Sequence, residues 1–215
     1  MKEKKLSKRL EQIKQTHVFI PEYVENYTLI NTGNRDDMNH YDLKLKDNDH
    51  NELVIRKTLR GDNSVDVFVM MKTKNQIYMN KQRTYMADKD PLKIFCMKSE
   101  KEWMFSFEGL MISKEKEMIN TAFKINFTSN EPIEDLISRL KTNESSKQVL
   151  NHRVDQTMIK DPEMTQIVAY QQKGSVQGVI KLNDKTITLN TIGIRHHKFG
   201  KHAYQSLFNI LQRTL

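Results

Sequence analysis

The sequence predicts a mainly β protein, an antiparallel meander or barrel with an N-terminal helix, one inserted helix and a C-terminal helix. Three observations carry this reading. Apolar residues recur at every second position through most of the chain from residue 41 onward. The runs are short and follow one another at close intervals, broken by turn residues. Three stretches keep helical spacing instead.

Taken in order, Leu6, Leu10 and Ile13 fall at helical spacing between Lys, Arg and Glu, which predicts a first helix. Residues 21–37, "PEYVENYTLINTGNRDD", read as a link ending in turn residues. "HYDLKLK" then places Tyr41, Leu43 and Leu45 on one face. "ELVIRKTL" and "SVDVFVMM" follow, joined by the turn signal "RGDN". "QIYMN", "RTYMA", "LKIFCMK" and "EWMFSFE" continue the series, and "EMINTAFKINFTS" sets Ile119, Thr121, Phe123, Ile125 and Phe127 on one side. In "SNEPIEDLISRLKT", Pro132 at a helix start and the stripe Ile133, Leu136, Ile137 and Leu140 predict the inserted helix. Strands return with "QIVAYQQKG", "SVQGVIKL" and "KTITLNTIGIR", the last two joined by a hairpin turn at Asn183 and Asp184. Tyr204, Leu207, Phe208 and Leu211 give the C-terminal helix. The expected organisation is an arm and linker over 1–37, a barrel domain over 38–201 and the final helix over 202–215.

Composition narrows the function classes. Hydrophobic residues are 37% and charged residues 29% of the 215, a globular balance rather than a disordered one. The one cysteine, Cys96, excludes an internal disulfide and a zinc site of paired cysteines, and its apolar neighbours predict a buried structural thiol. The charged N-terminus lacks a signal-peptide core and no stretch approaches a membrane span, so a cytoplasmic location is expected. The net charge of +8 permits a nucleic acid or an anionic membrane surface as partner, but acids are interspersed with the bases and a solvated basic surface is the expectation.

No glycine-rich phosphate loop, nucleophile elbow or H-E-x-x-H motif occurs. His196 and His197 are neighbours on a strand and point to opposite faces, while His40, His50 and His152 are scattered. No metal and no cofactor is expected. Trp103, Phe105 and Phe107 alternate as core residues do.

Four landmarks carry a resemblance. "HYDLKLKDNDHNELVIRKTLRGDNSVDVFVMMKT" looks like the opening strand pair of an intracellular ligand barrel. "EWMFSFEGLM" matches a W-x-x-x-F/Y-x-G-L element through Trp103, Phe107, Gly109 and Leu110. "AYQQKGSVQGVIKLND" matches Y-E-Q-x-G-x-x-x-G-x-I-x-x-D through Tyr170, Gln172, Gly174, Gly178, Ile180 and Asp184. "GIRHHKFGK" matches G-x-R-D-H-S-F-G-K through Gly193, Arg195, His197, Phe199, Gly200 and Lys201. Together they resemble the lipocalin-like, or calycin, N-terminal region of arthropod phosphoenolpyruvate synthase-like and phosphotransferase-like proteins, more distantly related to carotenoid hydratase and tocopherol cyclase barrels. The resemblance implies a barrel around a small apolar ligand, often one of two tandem halves.

Three positions depart from that pattern: His196 stands for the family's aspartate, Lys198 for its serine and Gln171 for its glutamate. Glutamine cannot shuttle a proton at neutral pH. The nucleotide-binding and phosphohistidine modules are also missing from these 215 residues, so phosphoenolpyruvate synthesis is not expected. The resulting expectation is a non-catalytic module binding a small apolar ligand, lipid or isoprenoid-like, through Trp103, Phe107, Tyr170, Gln172, Arg195 and His197. A second barrel half or a homodimer partner would cover any open sheet edge. Two alternatives stand beside it. One is a hydratase, isomerase or cyclase with His197 as acid–base and Arg195 as electrostatic partner. The other is an interaction domain using the basic N-terminal arm. Arg195 itself is expected to pair with Glu108 or another acid, and Phe199 and Gly200 to end their strand.

Overall fold

The computed structural model describes residues 2–17, 19–21, 25, 32–139 and 168–201. Helix α1 spans Lys2–Thr16 and buries Leu6, Leu10 and Ile13, the stripe its sequence displays. Eleven strands follow: β1 (Asp37–Lys46), β2 (Glu52–Arg60), β3 (Ser64–Lys72), β4 (Ile77–Asn80), β5 (Thr84–Met86), β6 (Leu92–Lys98), β7 (Glu102–Ser113), β8 (Met118–Thr128), β9 (Glu134–Asp135), β10 (Val168–Leu182) and β11 (Lys185–Lys201). Eight of them form a closed antiparallel barrel in the order β11-β1-β2-β3-β4-β7-β8-β10, with β10 pairing back to β11. The ring is thus completed by strands of this one chain. Closure removes the unpaired edges that an open sheet would present.

Side chains alternate between the two faces of each strand, so every second residue points inward. The inward set is apolar over most of the barrel and packs as one core: Leu43, Leu45, Leu53, Ile55, Val67, Val69, Phe105, Phe123, Ile125, Phe127, Val176 and Ile180 among others. Gly174 and Gly193 face each other across β10 and β11. A Cβ at Gly174 would fall 2.6 Å from the Phe127 ring, so the absent side chain there is what lets that ring pack.

The wall between β3 and β7 is uneven. At one end β4 pairs with both neighbours; at the other, β5 pairs with β3 and β6 with β7. Asn80 bridges the change, accepting from the Val69 N–H at 2.8 Å and donating to the Val67 carbonyl at 3.1 Å. Lys57 reaches from β2 to the Asp90 carboxylate and to the Leu92 carbonyl at 2.7 Å. This buried ion pair stands where β5 and β6 diverge.

Several expectations need correction. Residues 134–139 are not helical: Glu134 and Asp135 pair with β10, and the next four residues turn. Asp135 accepts from the N–H groups of Ile137 and Ser138, and its ladder bonds to β10 override the helical spacing. The two segments read around Tyr170 and Val176 are one strand, β10. Phe199 and Gly200 do not end β11, which pairs with β1 as far as Lys201. Cys96 is half-buried rather than buried. The C-terminal helix lies outside the described residues. Among the described residues, no helix is long and apolar enough to cross a membrane.

Candidate functional site

One end of the barrel interior is polar. On β11, Arg195 and His197 face inward; their register partners on β10 are Gln172 and Tyr170, and on β1 Leu43 and Tyr41. Trp103 on β7 closes the group. All but Tyr41 are buried, and the Arg195 guanidinium lies 4.7 Å from the Trp103 ring, 5.3 Å from Tyr170 and 5.6 Å from Phe127. Such rings attract a desolvated cation through their negative faces.

The acid that balances Arg195 is Glu25, not Glu108. Glu108 points outward and lines an open cleft of about 540 Å³ on the outer wall. Glu25 comes from the segment read as a link, yet its carboxylate is buried inside the barrel end. Its Oε1 lies 2.6 Å from Arg195 Nη2 and accepts the Tyr170 hydroxyl. Its Oε2 accepts the Trp103 indole N–H at 2.9 Å and the Glu100 backbone N–H at 2.9 Å. Nothing in the sequence singles out this glutamate, which stands between Val24 and Asn26 in an unpatterned stretch.

The remaining bonds are internal to the barrel. Arg195 Nε and Nη2 donate to Gln172 Oε1 at 3.1 and 2.7 Å, and Gln172 donates to the carbonyls of Glu100 and Glu131 at 2.7 Å each. His197 meets the Tyr170 hydroxyl through Nδ1 at 2.8 Å and Asn39 through Nε2. Tyr41 stacks on it with ring centres 4.2 Å apart. Burial, and then the Arg195 charge, hold the His197 pKa well below the ordinary range, so the ring is neutral. Burial pushes the Tyr170 hydroxyl well above its ordinary value and Tyr41 up to about 12.

Of the six residues singled out, Trp103, Tyr170, Gln172, Arg195 and His197 come together. Phe107 lies further down β7, stacked on Phe123 at 5.5 Å and apart from the polar group. Gln171, His196 and Lys198, where the sequence differs from the motifs it resembles, all point outward. They therefore take no carboxylate from the interior. There they form a second, covered cluster with His40 and Asp42 of β1. His40 bonds Thr58 at 2.7 Å and His196 bonds Gln171 at 3.1 Å, while Asp42 Oδ1 and His196 Nδ1 have no hydrogen-bond partner among the described residues. Burial, followed by the Lys198 charge, lowers His40 and His196 to about 3. Burial lowers Lys198 to about 8 against the pull of Asp42. No group of three potential ligands among the described residues has metal-binding geometry.

No family model, curated protein or solved structure matches this chain. The geometry of the site has to carry the functional argument.

Proposed function

We propose that this chain is a binding module for one small ligand with an apolar body, lipid or isoprenoid-like, held in the barrel without chemical change. The observation that carries the reading is the position of Tyr41 and Cys96. Both face the interior beside Arg195 and both keep partial exposure, so this end of the barrel is its less tightly covered part, although Glu25 and Arg195 themselves stay buried. An eight-stranded barrel either fills with its own side chains or holds one small ligand; the inward apolar residues here pack as one core, so a ligand is taken up by displacing side chains at the polar end. The likeness of the four sequence landmarks to lipocalin-like regions supports the same reading.

The hydratase or cyclase alternative needs His197 to exchange protons and Arg195 to face a substrate. A neutral His197 with both nitrogens engaged, and an Arg195 already paired with Glu25, weigh against it. The interaction-domain alternative rests on the basic face of α1, where Lys4, Lys5 and Lys8 are exposed, but charge alone is a weak sign of a partner.

The test is titration of the delipidated chain with oleyl alcohol, a neutral apolar probe. Trp103, the only tryptophan, reports occupancy by its emission. Saturable binding at one site, with the alcohol recovered unchanged, is expected. No saturable change, together with no small molecule in native mass spectra of the purified protein, overturns the proposal.

A further inference from the structure

The barrel wall carries an open strand edge along β6. We propose that β6 docks an extended segment of an acidic partner protein, which adds to that edge as a further antiparallel strand. The inference concerns the wall and is independent of any ligand inside the barrel.

β5 and β6 both lie between β3 and β7, and no ladder joins them to each other. Each therefore has one paired edge and one that faces the seam. The Glu108 N–H donates to the Pro91 carbonyl, which fixes the alternation along β6. Lys93 and Phe95 turn their backbone groups to β7, while Leu92, Ile94 and Cys96 turn theirs to the seam. At Leu92 side chains cap the edge: Asp90 accepts from its N–H and Lys57 donates to its carbonyl. At Ile94 and Cys96 the same backbone groups have no partner among the described residues. Such a row of donors and acceptors is a template for another extended chain.

The side chains around the edge say what that chain carries. On the outer face Phe95 and Met97 of β6 are 47% and 63% exposed, and Met86 of β5 is 50% exposed. On the inner face Ile94 and Cys96, with Tyr85 of β5, are only partly covered. A neighbouring strand would cover both sets through cross-strand pairs. Lys93 and Lys98 bracket the exposed Phe95 and Met97, and both are exposed. Neither has an ion-pair partner among the described residues, Glu102 opposite Lys98 included. Opposite charges stabilise a cross-strand pair and like charges destabilise it, so the arriving strand has an acid at each end and apolar residues between them. A second copy of β6 would bring further lysines to the same face, and the net charge of +8 opposes self-association. Edge lysines are a guard against self-pairing; against an acidic strand they become the attraction. The open stretch is short, so the complex is a transient one.

The test titrates two labelled peptides into the full chain at low salt: Thr-Glu-Val-Phe-Val-Glu-Thr, and Thr-Lys-Val-Phe-Val-Lys-Thr as its charge-reversed control. Fluorescence anisotropy reads binding, and amide exchange is followed residue by residue. The acidic peptide should bind saturably and about tenfold tighter than the control, the combined effect of two exposed ion pairs gained and two like-charge contacts avoided. It should slow exchange at Ile94 and Cys96 and leave Lys93 and Phe95, already in the β7 ladder, unchanged. The double variant Lys93→Glu with Lys98→Glu, both at exposed positions, should reverse the preference. Equal binding of the two peptides overturns the proposal, as does acidic binding that leaves Ile94 and Cys96 unprotected, or no saturation up to about 1 mM. Exchange at those two residues that slows with rising protein concentration, before any peptide is added, places a second copy on the edge and overturns the acidic partner.

Discussion

Glu25 Oε1 and Arg195 Nη2 lie 2.6 Å apart inside the barrel, with side-chain exposures of 0% and 3%. Neither charge reaches bulk water, so each depends on the other. Breaking such a pair from one side costs about 3–5 kcal/mol, because it strands the partner. Glu25→Leu and Arg195→Met should each destabilise by that order in urea unfolding. The double variant should cost less than the sum by about 2–3 kcal/mol, the coupling of residues in direct contact. Additive losses would mean that the two charges are solvated separately.

Gly174 permits the Phe127 ring to lie against the strand pair β10–β11. A Cβ there would stand 2.6 Å from both the ring edge and the Thr128 carbonyl. Backbone cannot yield as a flexible side chain would, so Gly174→Ala should cost about 1–3 kcal/mol, the range for overpacking a close-packed core. Gly33 is the control: nothing lies within 4 Å of its Cβ position, and only its φ of 74° opposes a side chain. Gly33→Ala should cost about 1 kcal/mol or less. Equal losses at the two positions would refute the packing argument.

The barrel was legible because its signal is local. Alternation over Tyr41, Leu43 and Leu45, or over Phe123, Ile125 and Phe127, reports the buried face of a strand directly. The same alternation placed Arg195 with His197, and Tyr170 with Gln172, on shared faces. Glu25 was illegible because a buried acid in a connecting segment has no periodicity, and its donors lie far off in sequence. The stripe Ile133, Leu136, Ile137 misled for the converse reason. A helix and a short strand followed by a turn can bury the same residues, and pairing with Tyr170 and Gln171 decided between them. Continuation of β11 through Gly200 depends on β1 as partner, which no local pattern around "KFGK" announces.

Lys57 and Asp90 hold the place where β5 and β6 diverge. The ammonium also serves the Leu92 carbonyl, and Asp90 Oδ1 accepts the Leu92 N–H at 2.9 Å. Removing the lysine leaves a buried carboxylate with its charge uncompensated. Lys57→Met should therefore destabilise by about 3 kcal/mol or more and speed amide exchange in β5 and β6 above that in β8 and β10. Uniform acceleration across all strands would show that the pair stabilises the whole barrel rather than this seam.

His40 and His196 make the protein acid-labile. Both are neutral in the native state, with pKa values lowered to about 3 by burial and by the Lys198, Arg56 and Lys44 or Arg60 charges around them. In the unfolded chain each returns to about 6.5. Between those values the unfolded state binds more protons than the native one, so stability falls as pH drops from 6.5 toward 3. Most carboxylates titrate below about 4.5, so the interval from about pH 7 to 5 isolates the histidines. Over it each should account for about 1–2 kcal/mol of the loss in urea unfolding free energy. His40→Gln and His196→Gln should each flatten the profile by about one proton, and the double variant by about two. A double variant with the wild-type slope would mean that neither histidine is held neutral, and that water or a counter-charge reaches the covered outer face of β1 and β11.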